Sequence, residues 1–216
     1  MKTIRGILWG ILCLLILPVL PASAADRGGT LLAAEEMPRR GGAAATYAID
    51  PDHSAVTFKI QHLFSKVAGT FDRFEGTIEY EPGKPENWKT EAVIQAASID
   101  TRVEKRDNHL RSKDFFEADK YPTITFKSAK VTDVTSQGAK LHGDLTIHGV
   151  THPVVLDLSI HGVGDDPWGN TRAGFTATTT IDRKEFGITW NQPVVGGLLL
   201  GDEVEITLEV EGLLKK

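Results

Sequence analysis

From 140 to 162 the chain reads KLHGDLTIHGVTHPVVLDLSIHG. Leu141, Gly143, Leu145 and Ile147 share one parity, and His142, Asp144, Thr146 and His148 share the other. After a break at Gly149-Val150-Thr151 the rhythm resumes, with Val154, Leu156, Leu158 and Ile160 set against Val155, Asp157, Ser159 and His161. Successive side chains of a strand point to opposite faces, so strict period two over two runs joined by a Gly-containing turn predicts an antiparallel hairpin. One face of that hairpin is apolar and must be covered; the other meets water.

The pattern recurs along the chain. Val56, Phe58, Ile60 and His62 alternate with Ala55, Thr57, Lys59 and Gln61. Val67, Gly69 and Phe71 begin a second strand, and Phe74, Gly76, Ile78 and Tyr80 continue it on the opposite parity. One extra residue flips a strand's faces, so a bulge near Asp72-Arg73 is expected. Glu81-Pro82-Gly83 reads as a turn and 91–99 as a strand. Asp100 or Thr101 can cap a helix over 102–118, closed by Tyr121-Pro122. Strands follow on Ile124, Phe126 and Ser128, then on Ala173, Phe175, Ala177, Thr179 and Ile181, and last on Val204, Ile206, Leu208 and Val210. Between the last two, 182–187 reads as a helical turn. There Asp182 caps, Gly187 terminates and Phe186 plugs one end.

About eight alternating strands in sequential order, with one or two short helices, predict an all-β fold: an eight-stranded antiparallel up-and-down β-barrel, which leaves no exposed edge. The polar parity carries Lys59, Glu75, Glu79, Lys127, Asp144, Glu205 and Glu209. Charges there cannot face hydrocarbon cheaply, so the apolar parity faces inward. An eight-stranded barrel is near the size at which side chains fill the interior or leave room for one small ligand. Gly69, Gly76, Ser128, Gly143, Ala173 and Ala177 interleave with phenylalanines on the inner parity. These small residues favour a cavity, unless the helix or neighbouring rings fill the gaps.

The first 24 residues read as a cleavable export leader. Lys2 and Arg5 precede an apolar run from Ile7 to Leu20, and Ala22-Ser23-Ala24 supplies a small-x-small cleavage site. The run is short for a membrane span, which needs about 20 residues. The destination expected is the periplasm, or the exterior of a single-membrane cell. Cys13, the one cysteine, lies inside this leader and follows Leu12, where a lipoprotein site would have a small residue. The exported part thus has no disulfide and no thiol nucleophile. Residues 25–46, rich in Ala and Gly, read as a flexible extension in which 31–37 can form a short helix, and 47–214 as the barrel. The formal charge is −5 and becomes more negative once Lys2 and Arg5 are removed, against nucleic acid as a partner and against anionic membrane surfaces.

Several polar groups invite chemistry. Histidines occur at 53, 62, 109, 142, 148, 152 and 161. His142 and His161 share the outward parity of paired strands and are expected nearly opposite one another, but a closed zinc set would need a further well-placed ligand; no metal site is expected. His62 can offer a hydrogen bond at a cavity mouth or cap a backbone group. In SIDTRVEKRDNHLRSKDFF (98–116), Asp107 and His109 are an acid/base pair on a catalytic reading. On a second reading this is a solvated helix face, salt-bridged to its neighbours; on a third its arginines, Arg102 among them, attract an anionic headgroup. No GxSxG, HExxH or phosphate loop accompanies them.

Together YAIDPDHSAVTFKIQH (47–62), GTFDRFEGTI (69–78), SIDTRVEKRDNHLRSKDFFEADKYPTITFKS (98–128), GDLTIHGVTHPVVL (143–156) and the block 174–187 resemble the YceI-like family of periplasmic polyisoprenoid-binding proteins. The likeness covers 47–213 in the family's order. It implies a lipocalin-like antiparallel barrel holding a long isoprenoid chain, an isoprenoid quinone or a polyprenyl phosphate, in its lumen. It implies no established catalysis and no cofactor beyond that lipid. The expected ligand-binding residues are Phe58, Ile60, His62, Phe71, Phe74, Ile78, Arg102, Phe126, Leu145, Leu156 and Phe175. The expected role is carriage or storage, with transient membrane contact and a homodimer both compatible with it. The rival expectations are an enzyme or enzyme accessory of isoprenoid or quinone metabolism, and a stress-protective module with a filled barrel.

Overall fold

The structure, a computed structural model, describes residues 44–216. The expected leader, and the expected extension as far as 43 with its short helix, lie outside the described residues. The extension's last residues, Ala45 and Thr46, already belong to the first strand.

Eight antiparallel strands follow one another around a closed ring. The first three are each broken in two. β1 (Ala45–Ile49) gives way through a single 3-10 turn to β2 (Ala55–His62); β3 (Ser65–Phe71) breaks before β4 (Phe74–Tyr80); β5 (Lys89–Gln95) breaks before β6 (Ile99–Asp100). Then come α1 (Glu104–Arg111), β7 (Thr123–Thr132), β8 (Gly138–Ile147), β9 (Val150–Asp165), β10 (Thr171–Asp182), the small hairpin β11 (Pro193–Val194) and β12 (Gly197–Leu198), and β13 (Leu200–Leu214). β13 closes the ring by pairing with β10 on one side and with both β1 and β2 on the other.

Inner and outer faces follow the parities. In β4 the step from Phe71 to Phe74 restores the buried face, as the phase slip predicts, but through a full break of the strand rather than a bulge within it. The backbone groups freed there are satisfied across the gap: Asp72 N–H donates to Ser98 O and Gln95 N–H to Arg73 O. The β8–β9 hairpin forms with a turn one residue earlier than expected. Ile147 pairs with Val150, and His148 and Gly149 have φ of 52° and 76°. Two consecutive positive φ values make the type I′ turn whose twist matches its flanking strands.

Two expectations need correction. The helix over 102–118 is shorter, spanning Glu104–Arg111. Arg102, at φ 65°, turns the chain just before it, and irregular turns follow as far as Pro122. His142 and His161 do not face each other. The two-residue turn fixes a register in which His142 opposes Val155. His142 Nε2 hydrogen-bonds Thr132 Oγ1, while His161 Nε2 bonds Thr176 Oγ1 on the other neighbouring strand.

Turns 63–64, 148–149 and the segments 96–122 and 183–199 gather at one end of the barrel, and 81–88, 133–137 and 166–170 at the other. The far end is packed shut. Tyr80 lies 4.8 Å from Trp88 and 5.2 Å from Phe175, ring centre to ring centre, with Tyr47, Ile78 and Ala173 buried around them. Beside them, Arg172 binds Asp50 at 2.6 Å, Asp166 at 2.9 Å and Glu211, tying β10 and β13 to the β1–β2 connection.

Candidate functional site

Between the two ends the barrel encloses an apolar lumen of about 830 Å³. That is toward the upper end of the roughly 300–1,000 Å³ typical of small-molecule sites. Phe58, Ile60, His62, Phe71, Phe74, Ile78, Phe126, Leu145, Leu156 and Phe175 all line it. Each sits on the inner parity of its strand, which is why a pattern of period two suffices to find them.

The small inner residues have a different use from the one expected. A Cβ at Gly69 would lie 2.5 Å from Cζ of Phe58, and one at Gly143 would lie 2.5 Å from Cζ of Phe126. In both cases a ring from the neighbouring strand occupies the space over the glycine. Neighbouring rings do fill these gaps, yet the lumen stays open because the rings lie along the wall. In mid-barrel, Leu141, Leu156 and Ala177 form a buried belt against Phe126 and Leu208.

The lumen opens at the α1 end. Val103 and Lys105 line it and are exposed, and Arg106, His109, Trp190 and Leu199 line the same mouth. Aromatic packing shapes this rim: His109 stands edge-on to Phe115 at 5.1 Å and to Trp190 at 4.9 Å. Phe186, fully buried, packs with Ile188 inside this end, but it lines the lumen there and does not plug it, contrary to the expectation from the sequence. Arg183 is buried beneath the rim at 4% exposure. Its guanidinium donates to the carbonyls of Gly201, Ile188 and Trp190 at 2.7–2.9 Å, so it holds the 188–201 segment rather than waiting for a ligand. Burial pulls its pKa down, against the upward pull of Asp202 and Asp182.

A second opening lies in the wall. Ala55, Thr57, Glu75, Glu79 and Glu209 have the outward parity and nevertheless line the cavity. All lie around the place where β1 yields to β2 and β3 to β4. There the ladder is interrupted between the Ala48–Thr77 and Val56–Phe71 pairs.

The remaining polar candidates are placed as follows. Arg102 lies outside the lumen, in a shallow surface hollow with Arg73, Asp100 and Arg111, and its N–H donates to Asp100 Oδ1 at 2.6 Å. Arg106, not Arg102, reaches the mouth, with its guanidinium donating to Thr101 Oγ1 and O at 2.6 and 2.8 Å. Asp107 is buried and accepts from the N–H and hydroxyl of Thr101. His109 pairs instead with Asp114 at 2.9 Å. Asp107 and His109 therefore serve different partners. His53 bonds Asp50 at 2.9 Å, away from the lumen. Asp50, His53 and Glu211 lie close enough together to hold a cation, but Arg172 already bridges both carboxylates. Trp190 and Arg183 escaped the sequence reading, because the loop that carries Trp190 has no periodicity and an arginine near a turn reads as exposed.

The sequence model of the YceI-like domain matches residues 47–212. The chain belongs to the YceI-like domain family. A UPF0312 protein of Vibrio cholerae is 39% identical to this YceI-like chain over 175 residues, spanning 80% of the chain and 89% of the relative. The crystal structure of the Campylobacter jejuni YCEI protein superposes with a TM-score of 0.64 at 34% identity, covering 72% of this chain and 90% of that one. A polyisoprenoid binding domain from Saccharophagus degradans has the same fold, with a TM-score of 0.60 at 14% identity over 80% of this chain and all of that one. The YceI-like region thus coincides with the whole barrel, wall and rim together.

Proposed function

We propose that this barrel takes up the chain of a long isoprenoid lipid, an isoprenoid quinone or a polyprenyl phosphate, and carries or stores it outside the cytoplasm. One observation carries the reading: the lumen is continuous, lined almost wholly by aliphatic and aromatic side chains, and reaches the outside at the α1 end as well as through the gap in the wall. Binding then comes from desolvation. Each methylene withdrawn from water contributes about 0.8 kcal/mol, so a tail of several prenyl units needs few polar contacts. The rim groups His62, Arg106 and His109 are placed to meet a polar headgroup while the tail lies inside. The fold shared with the Saccharophagus degradans polyisoprenoid binding domain supports the same reading. A filled protective barrel is disfavoured by the volume of the lumen. An enzyme built on Asp107 and His109 is disfavoured because their side chains serve separate partners.

The test is direct. The full-length protein is expressed with its leader in a bacterium, recovered from the periplasm and extracted with organic solvent, and the extract is weighed by mass spectrometry. A stoichiometric prenyl lipid is expected. Clean protein that also takes up no long-chain ubiquinone dispersed from ethanol would overturn the reading.

A further inference from the structure

An isoprenoid chain does not travel through water, so the mouth must meet the phase that holds it. Among the described residues, eight large apolar side chains are 40% exposed or more. They are not spread evenly. Leu63, Phe64, Val103, Val195 and Leu198 gather at the end where the lumen opens, whereas Val134 and Trp168 lie at the closed end and Val155 on the wall.

Two of these form a turn of an unusual kind. His62 pairs with Ser65, so Leu63-Phe64 is the whole of the β2–β3 turn, and Leu63 takes a φ of 48°. Such turns normally carry Asn, Asp or Gly, which suit that backbone and are soluble. Here the residues are leucine and phenylalanine, with Phe64 99% exposed. The turn is braced by Gln61, whose Nε2 donates to Leu63 O at 2.7 Å, and by Leu63 N–H donating to Leu199 O at 3.1 Å. Leu199 lines the mouth and follows directly on the β11–β12 hairpin, whose tip exposes Val195 completely. The two apolar tips are thus fastened together at the lumen's entrance, which Lys105 and Arg106 also line.

We infer that this end docks on a lipid bilayer, with Phe64 and Val195 entering the headgroup–acyl boundary and the two cations meeting lipid phosphates, so that the lumen opens onto the membrane. Apolar side chains beside basic ones are what interfacial binding requires. The inference rests on the lipid-binding reading above, and it fixes where the lipid enters.

The experiment uses vesicles of phosphatidylethanolamine and phosphatidylglycerol that carry long-chain ubiquinone, and compares the parent with F64S/V195S and with W168S at the closed end. Co-flotation and loading from vesicles are measured beside loading from ethanol, which bypasses the membrane. Removing a buried phenylalanine corresponds to about a ten- to hundredfold loss of vesicle binding. The expected result is that loss for F64S/V195S, with slower loading from vesicles, unchanged loading from ethanol, and no change for W168S. Equal flotation of the parent and F64S/V195S overturns the docking inference. So does a dimer that depends on the tips and does not float. If the parent fails to load even from ethanol, the lumen reading fails instead, and flotation still judges the tips by themselves.

Discussion

Ala177→Phe puts the lumen itself to the test. Ala177 is 5% exposed, lines the cavity at mid-barrel and opposes Leu208 on β13 and Leu158 on β9. A phenyl ring placed there extends inward from the buried belt around Leu141 and Leu156 and takes up part of the lumen. In the empty protein the ring is buried in the apolar lumen, and burying a Phe side chain is worth about 1.5–3 kcal/mol relative to exposure. The melting temperature should therefore hold or rise by several degrees, at about 2–4 °C per kcal/mol for a chain of this size. The lipid suffers the opposite effect. A ring across the lumen excludes about four methylenes of the bound chain, worth about 3 kcal/mol in all, so affinity should fall about a hundredfold. Thermal unfolding of the lipid-free protein gives the first quantity, and titration with long-chain ubiquinone followed by gel filtration and extraction gives the second. A variant that melts no lower than the parent yet binds equally well would refute the claim that the chain runs through this level of the barrel.

Four further outcomes follow from the same structure. Leu156→Arg places a guanidinium in the apolar mid-barrel and should abolish uptake of the quinone from ethanol, provided circular dichroism shows the folded barrel; undiminished uptake argues against the lumen as the site. Phe186→Ala leaves a cavity at a fully buried position and should cost about 3–5 kcal/mol in urea unfolding. Asp107→Ala leaves the buried Thr101 N–H without its acceptor and should cost about 1–3 kcal/mol, with quinone binding retained in the folded fraction; loss of binding at unchanged stability would give Asp107 a role at the ligand. The hydrogen bond from Arg172 holds Asp50 and Asp166 below the usual carboxylate range. Carboxylates depressed in this way stabilise the fold above about pH 4, and that contribution is lost as pH falls through their folded values. Arg172→Met should therefore melt lower than the parent at pH 7, with the gap closing toward pH 2; a gap that does not vary with pH would exclude this origin.

The wall of the site was legible in the sequence because a strand has only two faces. Once the charged parity of β2, β4, β8 or β13 must meet water, Phe58, Ile78, Leu145 and Leu208 have nowhere to go but inward. The break at Asp72-Arg73 was legible for the same reason, since a change of parity within one apolar run needs a compensating step in the backbone. The polar rim was not. A helix reading that starts at Arg102 places it on the same element as Arg106. One residue with left-handed backbone before α1 instead sends Arg102 to an outer hollow, while Arg106 reaches the mouth. Nothing in the local pattern announces such a turn at an arginine.

Periodicity by itself thus settled which side chains face inward and that the strands run in sequential order. Whether the interior was full or hollow depended on how rings from one strand meet glycines on the next, as Phe58 does over Gly69 and Phe126 over Gly143. The placing of the mouth depended on how loops far apart in the chain, around Leu63 and Leu199, come together. Those are contacts between distant residues. Their geometry is set by strand register and ring closure, which only the assembled barrel specifies.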